Sequence, residues 1–220
     1  MPSTDSALAI ATLGASGLAA LLISEWRALR SGIVAGKLTA STAFVLLALL
    51  GGLAGAFEHP AGWLFFAGMS FCWLGDALLL SPGQSLGFRA GIGAFLLAHL
   101  AYAIGCHAAG VDASSFAQAV IGVGLVGAIA LRWLWPHVPA DFRLAVGLYF
   151  GVIGLMVASA IGATAAGASP GFAAGAILFA ISDLSVARER FVAPSFANSA
   201  WGLPLYYAAQ GLLALSMADL

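Results

Sequence analysis

The stretches WLGDALLL (residues 73–80) and FAISDLSV (residues 179–186) each place one aspartate, Asp76 or Asp183, among residues suited to hydrocarbon. The 220-residue chain around them is 62% hydrophobic and 8% charged, whereas a soluble domain carries about 25% charged residues. This composition predicts an integral membrane protein in contact with membrane lipids. With a formal net charge of −1, the chain lacks the basic surface of nucleic-acid-binding proteins, so we expect no nucleic-acid partner.

Hydrophobic segments long enough to cross a bilayer recur along the whole sequence. A spanning helix needs about 20 mostly apolar residues. Eight segments meet this requirement: residues 7–23, 38–57, 61–80, 90–110, 115–134, 142–163, 170–187 and 197–217. The pieces between them are short and polar or turn-forming. The sequence therefore predicts an all-α fold, a polytopic bundle of eight transmembrane helices that forms one domain over residues 1–220.

The basic residues are segregated relative to these eight predicted spans. All eight lysines and arginines lie at or near the loops that follow the odd-numbered spans. By the positive-inside rule these loops are cytoplasmic, and both termini face outward. We therefore expect a plasma membrane protein, in a bacterium a protein of the inner membrane.

The two aspartates lie at matched depths, each about one turn from the cytoplasmic end of its span. At ~1.5 Å per helical residue, Asp76 is roughly 6 Å from Leu80, and Asp183 is roughly 7 Å from Arg188. This is the depth of the lipid glycerol groups rather than the bilayer centre, so we expect any active site to face the cytoplasmic side. Because the aspartates are four spans apart, their spacing is consistent with a parallel 4+4 repeat.

An ionisable side chain inside a span needs a partner or a wet cavity. One interpretation is structural, with each aspartate paired to Arg89, Arg188 or Arg190. The other is chemical: two carboxylates that meet in a poorly solvated pocket cannot easily both ionise, so one keeps its proton near neutral pH. Such an aspartate dyad offers an acid and a base together.

The other reactive residues form no recognisable site. The four histidines are scattered, with no His-x-x-His or cysteine pairing, so we expect no bound metal or other cofactor. No Gly-x-Ser-x-Gly segment is present, which argues against a serine nucleophile.

Five segments of the sequence resemble the YhhN family of membrane proteins, the lysoplasmalogenases. The resemblance covers about residues 61–217, and its motifs are a Gly-Asp and a Ser-Asp pair with histidine and Tyr-Tyr-x-x-Gln segments between and after them. The segments are SFCWLGDALLL (70–80), GAFLLAHLAYAIG (93–105), GLYFGVIGLMVASAIG (147–162), GAILFAISDLSVARERF (175–191) and LPLYYAAQGLLALS (203–216).

The resemblance implies an ether hydrolase that cleaves the vinyl ether bond of lysoplasmenyl phospholipids. A lysophospholipid would be converted to a fatty aldehyde and glycerophosphoethanolamine or glycerophosphocholine. Carried over by motif, Asp76 and Asp183 are the catalytic pair. The residues implied to line or support the pocket are His99, Tyr102, Tyr149, Ser182, Tyr206, Tyr207 and Gln210. Just beyond the aspartates, the candidates for binding a phosphate headgroup are Arg89, Arg188 and Arg190.

Other functions remain open from the sequence. A small proton-coupled transporter could use the same aspartates as a proton relay. A hydrolase of another lysolipid, or a lipid-binding scaffold without catalysis, would show the same hydrophobic pattern. The off-centre position of the carboxylates favours the hydrolase, because many transporters bind their substrates near the bilayer midplane.

Overall fold

The computed structural model describes residues 4–81 and 85–220, and every long element in these ranges is an α-helix. The eight helices are α1 (Thr4–Trp26), α2 (Arg30–Leu53), α3 (Pro60–Leu79), α4 (Leu86–Ala109), α5 (Ala113–Leu134), α6 (Arg143–Ala165), α7 (Pro170–Ala187) and α8 (Phe196–Ser216). Each corresponds to one predicted hydrophobic segment. The all-α prediction is therefore confirmed.

Local sequence explains several of the helix starts. Proline, whose fixed backbone angle suits the first turn of a helix, opens α3 at Pro60 and α7 at Pro170. Ser85 and Asp112 cap the starts of α4 and α5. The backbone N–H of Ser115 donates to Asp112 and holds the pKa of this exposed carboxyl below its ordinary value.

The bundle is that of an integral membrane protein. Among the described residues, α1 to α7 are long and apolar enough to cross a membrane. The last helix, α8, has 21 residues but contains Pro204 and the buried amide side chains of Asn198 and Gln210. These residues lower the mean hydropathy of α8, so seven of the eight described helices are clear candidates for crossing a membrane.

The second helix differs most from the sequence-based boundaries. Residues 38–57 were expected to span, whereas α2 starts eight residues earlier, at Arg30, and ends at Leu53. The difference arises because Lys37 lies inside the helix and is neutralised there by Asp76. After α2 the chain turns at Gly55, whose φ of 140° is accessible to glycine.

Helix packing forms a ring that encloses the core. Helices α2, α3, α4, α6, α7 and α8 contact one another in that order, and α8 closes the ring against α2. Outside the ring, α1 packs on α2 and α8, and α5 packs mainly on α6. Leu134, at the end of α5, is the only buried residue of that helix. The outer face of α5 is therefore lipid-accessible.

Helices α1 and α2 pack backbone to backbone at two glycines. A Cβ atom on Gly36 would lie 2.6 Å from the backbone nitrogen of Leu21, and one on Gly17 would lie 2.7 Å from that of Ala40. Backbone atoms cannot move aside as a flexible side chain can, so these positions require glycine.

We expect Gly36→Ala to lower the free energy of unfolding by about 1–3 kcal/mol, because the added methyl group forces α1 and α2 apart. Thermal unfolding of the detergent-purified protein measures the effect. The matched control is Gly93→Ala on α4, where a Cβ meets no atom within 4 Å. Equal melting temperatures for the two variants would contradict the close-contact argument.

Candidate active site

Asp76 on α3 is buried and surrounded by donors. It is 2% exposed. The Lys37 Nζ atom on α2 lies 3.2 Å from its Oδ1 atom. Its Oδ2 atom accepts hydrogen bonds from Ser41 Oγ at 2.7 Å and from the Tyr206 hydroxyl at 2.8 Å. Because all three partners are donors and one is a cation, the geometry suits a negatively charged carboxylate.

Asp183 on α7 has different partners. The Tyr149 hydroxyl on α6 donates to its Oδ2 atom at 3.4 Å. The His99 Nε2 atom on α4 lies 3.3 Å from the same oxygen. The aspartate side chain is 14% exposed, whereas the histidine side chain is fully buried. Asp183 therefore faces an imidazole where Asp76 faces a lysine.

The two nitrogens of His99 define where a proton must be. Its Nδ1 atom lies 2.5 Å from the carbonyl oxygen of Phe95, which can only accept, so Nδ1 carries a proton. Its Nε2 atom has no aligned hydrogen-bond partner among the described residues, although Asp183 is close. A bare nitrogen lone pair and a carboxylate oxygen would repel each other. A proton on the carboxyl group or on Nε2 would remove this repulsion.

Both aspartates line one cavity of about 430 Å³. Most of its lining is hydrophobic and comes from α5, α6 and α7. No hydrogen bond joins the two carboxylates among the described contacts, so they share a cavity but each has its own partners. Within residues 4–81 and 85–220, no three His, Cys, Asp or Glu side chains cluster in a way that could hold a metal ion.

Four of the predicted pocket residues lie at this cavity or contact its carboxylates. Tyr149, Tyr206 and Ser182 line it, and His99 lies against Asp183. The Ser182 hydroxyl donates to the carbonyl of Phe179 within its own helix at 2.7 Å. Ser182 therefore lines the cavity, but its hydroxyl proton is already donated to a carbonyl of its own helix.

Three other predicted residues do not line the cavity. The Tyr102 hydroxyl donates to Gln210 Oε1 at 2.8 Å, and Gln210 Nε2 donates to Cys72 Sγ at 3.2 Å. These side chains form a separate buried cluster. The Tyr207 hydroxyl lies 3.2 Å from Ser41 Oγ and donates to the Lys37 carbonyl at 3.3 Å. Tyr207 thus supports the groups that hold Asp76.

The three candidate arginines have separate environments. Arg190 lines the cavity, donates to the carbonyl of Leu79 at 3.3 Å, and lies over the ring of Phe88. The other two do not line it. Arg188 donates to Asn198, and Arg89 forms an exposed ion pair with Asp141 at 2.7 Å.

Two residues that hold Asp76 were missed by the sequence analysis. The structural interpretation paired the aspartates with arginines, whereas the structure pairs Asp76 with Lys37 and Asp183 with His99. Ser41 was also missed. Lys37 and Ser41 are four residues apart and so project from one face of α2. That spacing is the signal that could have identified them.

A helical membrane bundle with two separately stabilised carboxylates in one apolar cavity defines an intramembrane polar site of the kind found in membrane enzymes and transporters. The family is given by similarity to known proteins. The model of the YhhN family matches residues 34–217, and the chain belongs to that family.

The similar proteins are named lysoplasmalogenases. The chain is 32% identical to lysoplasmalogenase TMEM86A of Bos taurus over 180 residues, which cover 79% of this chain and 73% of that protein. The human lysoplasmalogenase TMEM86A gives the same identity and coverage. The lysoplasmalogenase of Mycobacterium tuberculosis is 33% identical over 171 residues, which cover 73% of this chain and 63% of that protein. No solved structure is significantly similar to the chain.

We expect Lys37→Met to destabilise the protein by about 3 kcal/mol or more, because it leaves a buried carboxylate without its cation. Adding Asp76→Asn should recover part of that loss, since the remaining amide is neutral. Thermal unfolding in detergent measures both changes. The control is Arg89→Met, which removes an exposed ion pair worth about 1 kcal/mol or less. If Lys37→Met melts like Arg89→Met, the pair does not stabilise the fold.

Proposed function

We propose that this protein is a lysoplasmalogenase, an integral membrane hydrolase of the vinyl ether bond in lysoplasmenyl phospholipids. Its products would be a fatty aldehyde and glycerophosphoethanolamine or glycerophosphocholine. The relatives named lysoplasmalogenase, at 32% and 33% identity, support this activity. The structural observation that carries the proposal is the pair of carboxylates, Asp76 and Asp183, in one hydrophobic cavity.

The contacts of the two aspartates suggest which is the acid. Asp183 lies 3.3 Å from His99 Nε2, and with the shared proton on its carboxyl group it is the proton donor. Asp76 has only donors around it, among them the cation of Lys37, so it is the charged partner. This assignment gives one acid and one anion at neutral pH without requiring the carboxylates to touch.

Hydrolysis then proceeds in three balanced steps. Asp183 transfers its proton to the alkene carbon that is not bonded to oxygen, and the resulting oxocarbenium ion is stabilised by the negative charge of Asp76. Asp76 takes a proton from water as the water oxygen bonds to the cationic carbon, giving a hemiacetal. In the last step Asp76 protonates the leaving glycerol oxygen while the hemiacetal hydroxyl returns its proton to Asp183. The products are an aldehyde and an alcohol, and both carboxyl groups are restored.

Asp76→Asn and Asp183→Asn should each lower aldehyde release about a hundredfold or more, because each removes one member of the acid–base pair. The assay is fatty aldehyde formation from a lysoplasmenylphosphocholine by the purified protein without added metal. Asp141→Asn, in the exposed pair with Arg89, serves as the matched control and should keep wild-type activity.

Size-exclusion profiles and melting temperatures of the variants distinguish lost chemistry from lost folding. Near-normal turnover in both asparagine variants, in folded protein, would rule out the aspartate mechanism. Uptake of lysolipid into proteoliposomes with no aldehyde formed would favour a transporter that uses the same residues. Release of a product from a different lysolipid alone would retain the hydrolase class and change its substrate.

We further propose that residues 1–220 form one membrane domain in which all eight helices span, with both termini outside and the active site near the cytoplasmic side of the plasma membrane. The segregation of basic residues supports this topology. Asp76 and Asp183 lie near the ends of α3 and α7 at which Arg188 and Arg190 also lie. A lipid in the cytoplasmic leaflet would reach them at the level of its glycerol group.

The same arrangement supports a parallel 4+4 repeat. Asp76 on α3 takes two partners, Lys37 and Ser41, from the preceding helix, α2, and one from α8. Asp183 on α7 takes one partner from its preceding helix, α6, and one from α4. Adding four to each helix number, and continuing from α8 to α1, converts the helices around Asp76 (α3, α2 and α8) into those around Asp183 (α7, α6 and α4).

A cysteine introduced at Asp5 or at Asp219 should react with a membrane-impermeant maleimide in intact cells, because both ends face outward if α8 crosses the membrane. Asp141→Cys is the control and should react only after permeabilisation. The native Cys72 and Cys106 are buried, so background labelling should be low. Labelling of only one of the two termini would show an odd number of spans.

A further inference from the structure

The cavity extends well beyond the two carboxylates. Its lining runs from Ile177 on α7 to Arg190 and Phe191 in the helical turn that follows α7. At ~1.5 Å per residue this is roughly 20 Å of helix, and Asp183 lies between the two ends. The cavity is therefore elongated along the helices, with a basic side chain at one end and carboxylates along its length.

The end opposite Arg190 is apolar. Its walls are Gly122 and Val123 of α5, Gly154 and Val157 of α6, and Ile177 of α7. We call this group of five residues the chain slot. A cavity of about 430 Å³ is within the range of ~300–1,000 Å³ typical of ligand pockets.

The order of chemistry along the cavity matches the order of groups in a single-chain phospholipid. A guanidinium suits the phosphate, the carboxylates lie where an ether oxygen would follow the glycerol, and the chain slot offers only hydrophobic contacts. A compact polar substrate would leave the chain slot empty. The geometry therefore points to one occupant, a long hydrocarbon chain attached to a phosphate-bearing head.

We propose that the chain slot holds the hydrocarbon chain of the substrate and that Gly122 determines the longest chain the enzyme accepts. This inference rests on the proposed function and adds a specificity-determining residue to it. A Cβ atom on Gly122 would meet no atom within 4 Å. A larger side chain there has room to project into the cavity without displacing the protein around it.

Two other glycines of α5 make the inference testable. Gly127 also lines the cavity and is also open around its Cβ position. It lies five residues closer to the cytoplasmic end of α5, roughly 7 Å nearer to the level of the carboxylates. Gly124 is equally open around its Cβ position but does not line the cavity. A side chain on Gly124 would project elsewhere from the same helix.

The experiment compares Gly122→Leu, Gly127→Leu and Gly124→Leu on lysoplasmenylphosphocholines with hexadecenyl and octenyl chains in mixed micelles. Gly122→Leu should lower kcat/KM roughly tenfold for the hexadecenyl lipid, because several methylene contacts are blocked, and change the octenyl value little. Gly127→Leu should lower both values. Gly124→Leu should match the wild type on both lipids.

A second readout separates this inference from the proposed reaction. Palmitoyl and octanoyl lysophosphatidylcholine carry an ester in place of the vinyl ether, and their binding is followed by the rise in melting temperature. Loss of the palmitoyl shift in Gly122→Leu supports the chain slot even if no aldehyde is ever formed. If aldehyde release requires Asp76 while Gly122→Leu keeps the wild-type chain-length profile, the chain-slot assignment is wrong and the reaction stands.

Discussion

The carboxylate site depends on the neutralisation of Asp76 by Lys37. A charge that leaves water for a protein interior loses several kcal/mol of solvation, which only a well-placed partner offsets. The 3.2 Å ion pair links α2 to α3, and the hydroxyl of Tyr206 adds α8 to the same carboxylate. Three helices of the ring are thus joined at one buried anion, and their relative positions shape the cavity beside it.

The second carboxylate shows why the partners matter more than the aspartates themselves. Asp183 lies near the C-terminal end of an apolar helix, much as Asp76 does, but its neighbours are His99 and Tyr149. A neutral imidazole has one donor and one acceptor nitrogen, whereas the ammonium group of a lysine only donates. The same acidic side chain therefore has a different hydrogen-bonding environment in each position.

The sequence predicted the helices well and the site only in part. Eight hydrophobic segments of about 20 residues have few alternatives to helices in a bilayer, because every backbone polar group must be paired internally. Helices that are apolar all round carry little information about which face points inward. For this reason Tyr149 and Tyr206 could not be distinguished from Tyr102, which lies in a separate cluster.

The partners of the charged residues were not predicted, for a related reason. The predicted span 38–57 leaves Lys37 in a loop, because no residue near it in the sequence neutralises its charge. Its partner, Asp76, is 39 residues away in another helix. Arg89 and Arg188, predicted as headgroup candidates, contact Asp141 and Asn198 in the structure. Pairings of this kind depend on tertiary geometry, and the local sequence shows at most that Lys37 and Ser41 share a face of α2.

Contacts between the two halves of the chain complete the surroundings of each aspartate. Tyr206, near the end of the chain, reaches Asp76, and His99, from the first half, reaches Asp183. Neither half of the polypeptide can complete its own acidic centre. Two fragments cut between α4 and α5 would each lack contacts to one of the carboxylates and would restore them only by reassociating in the bilayer.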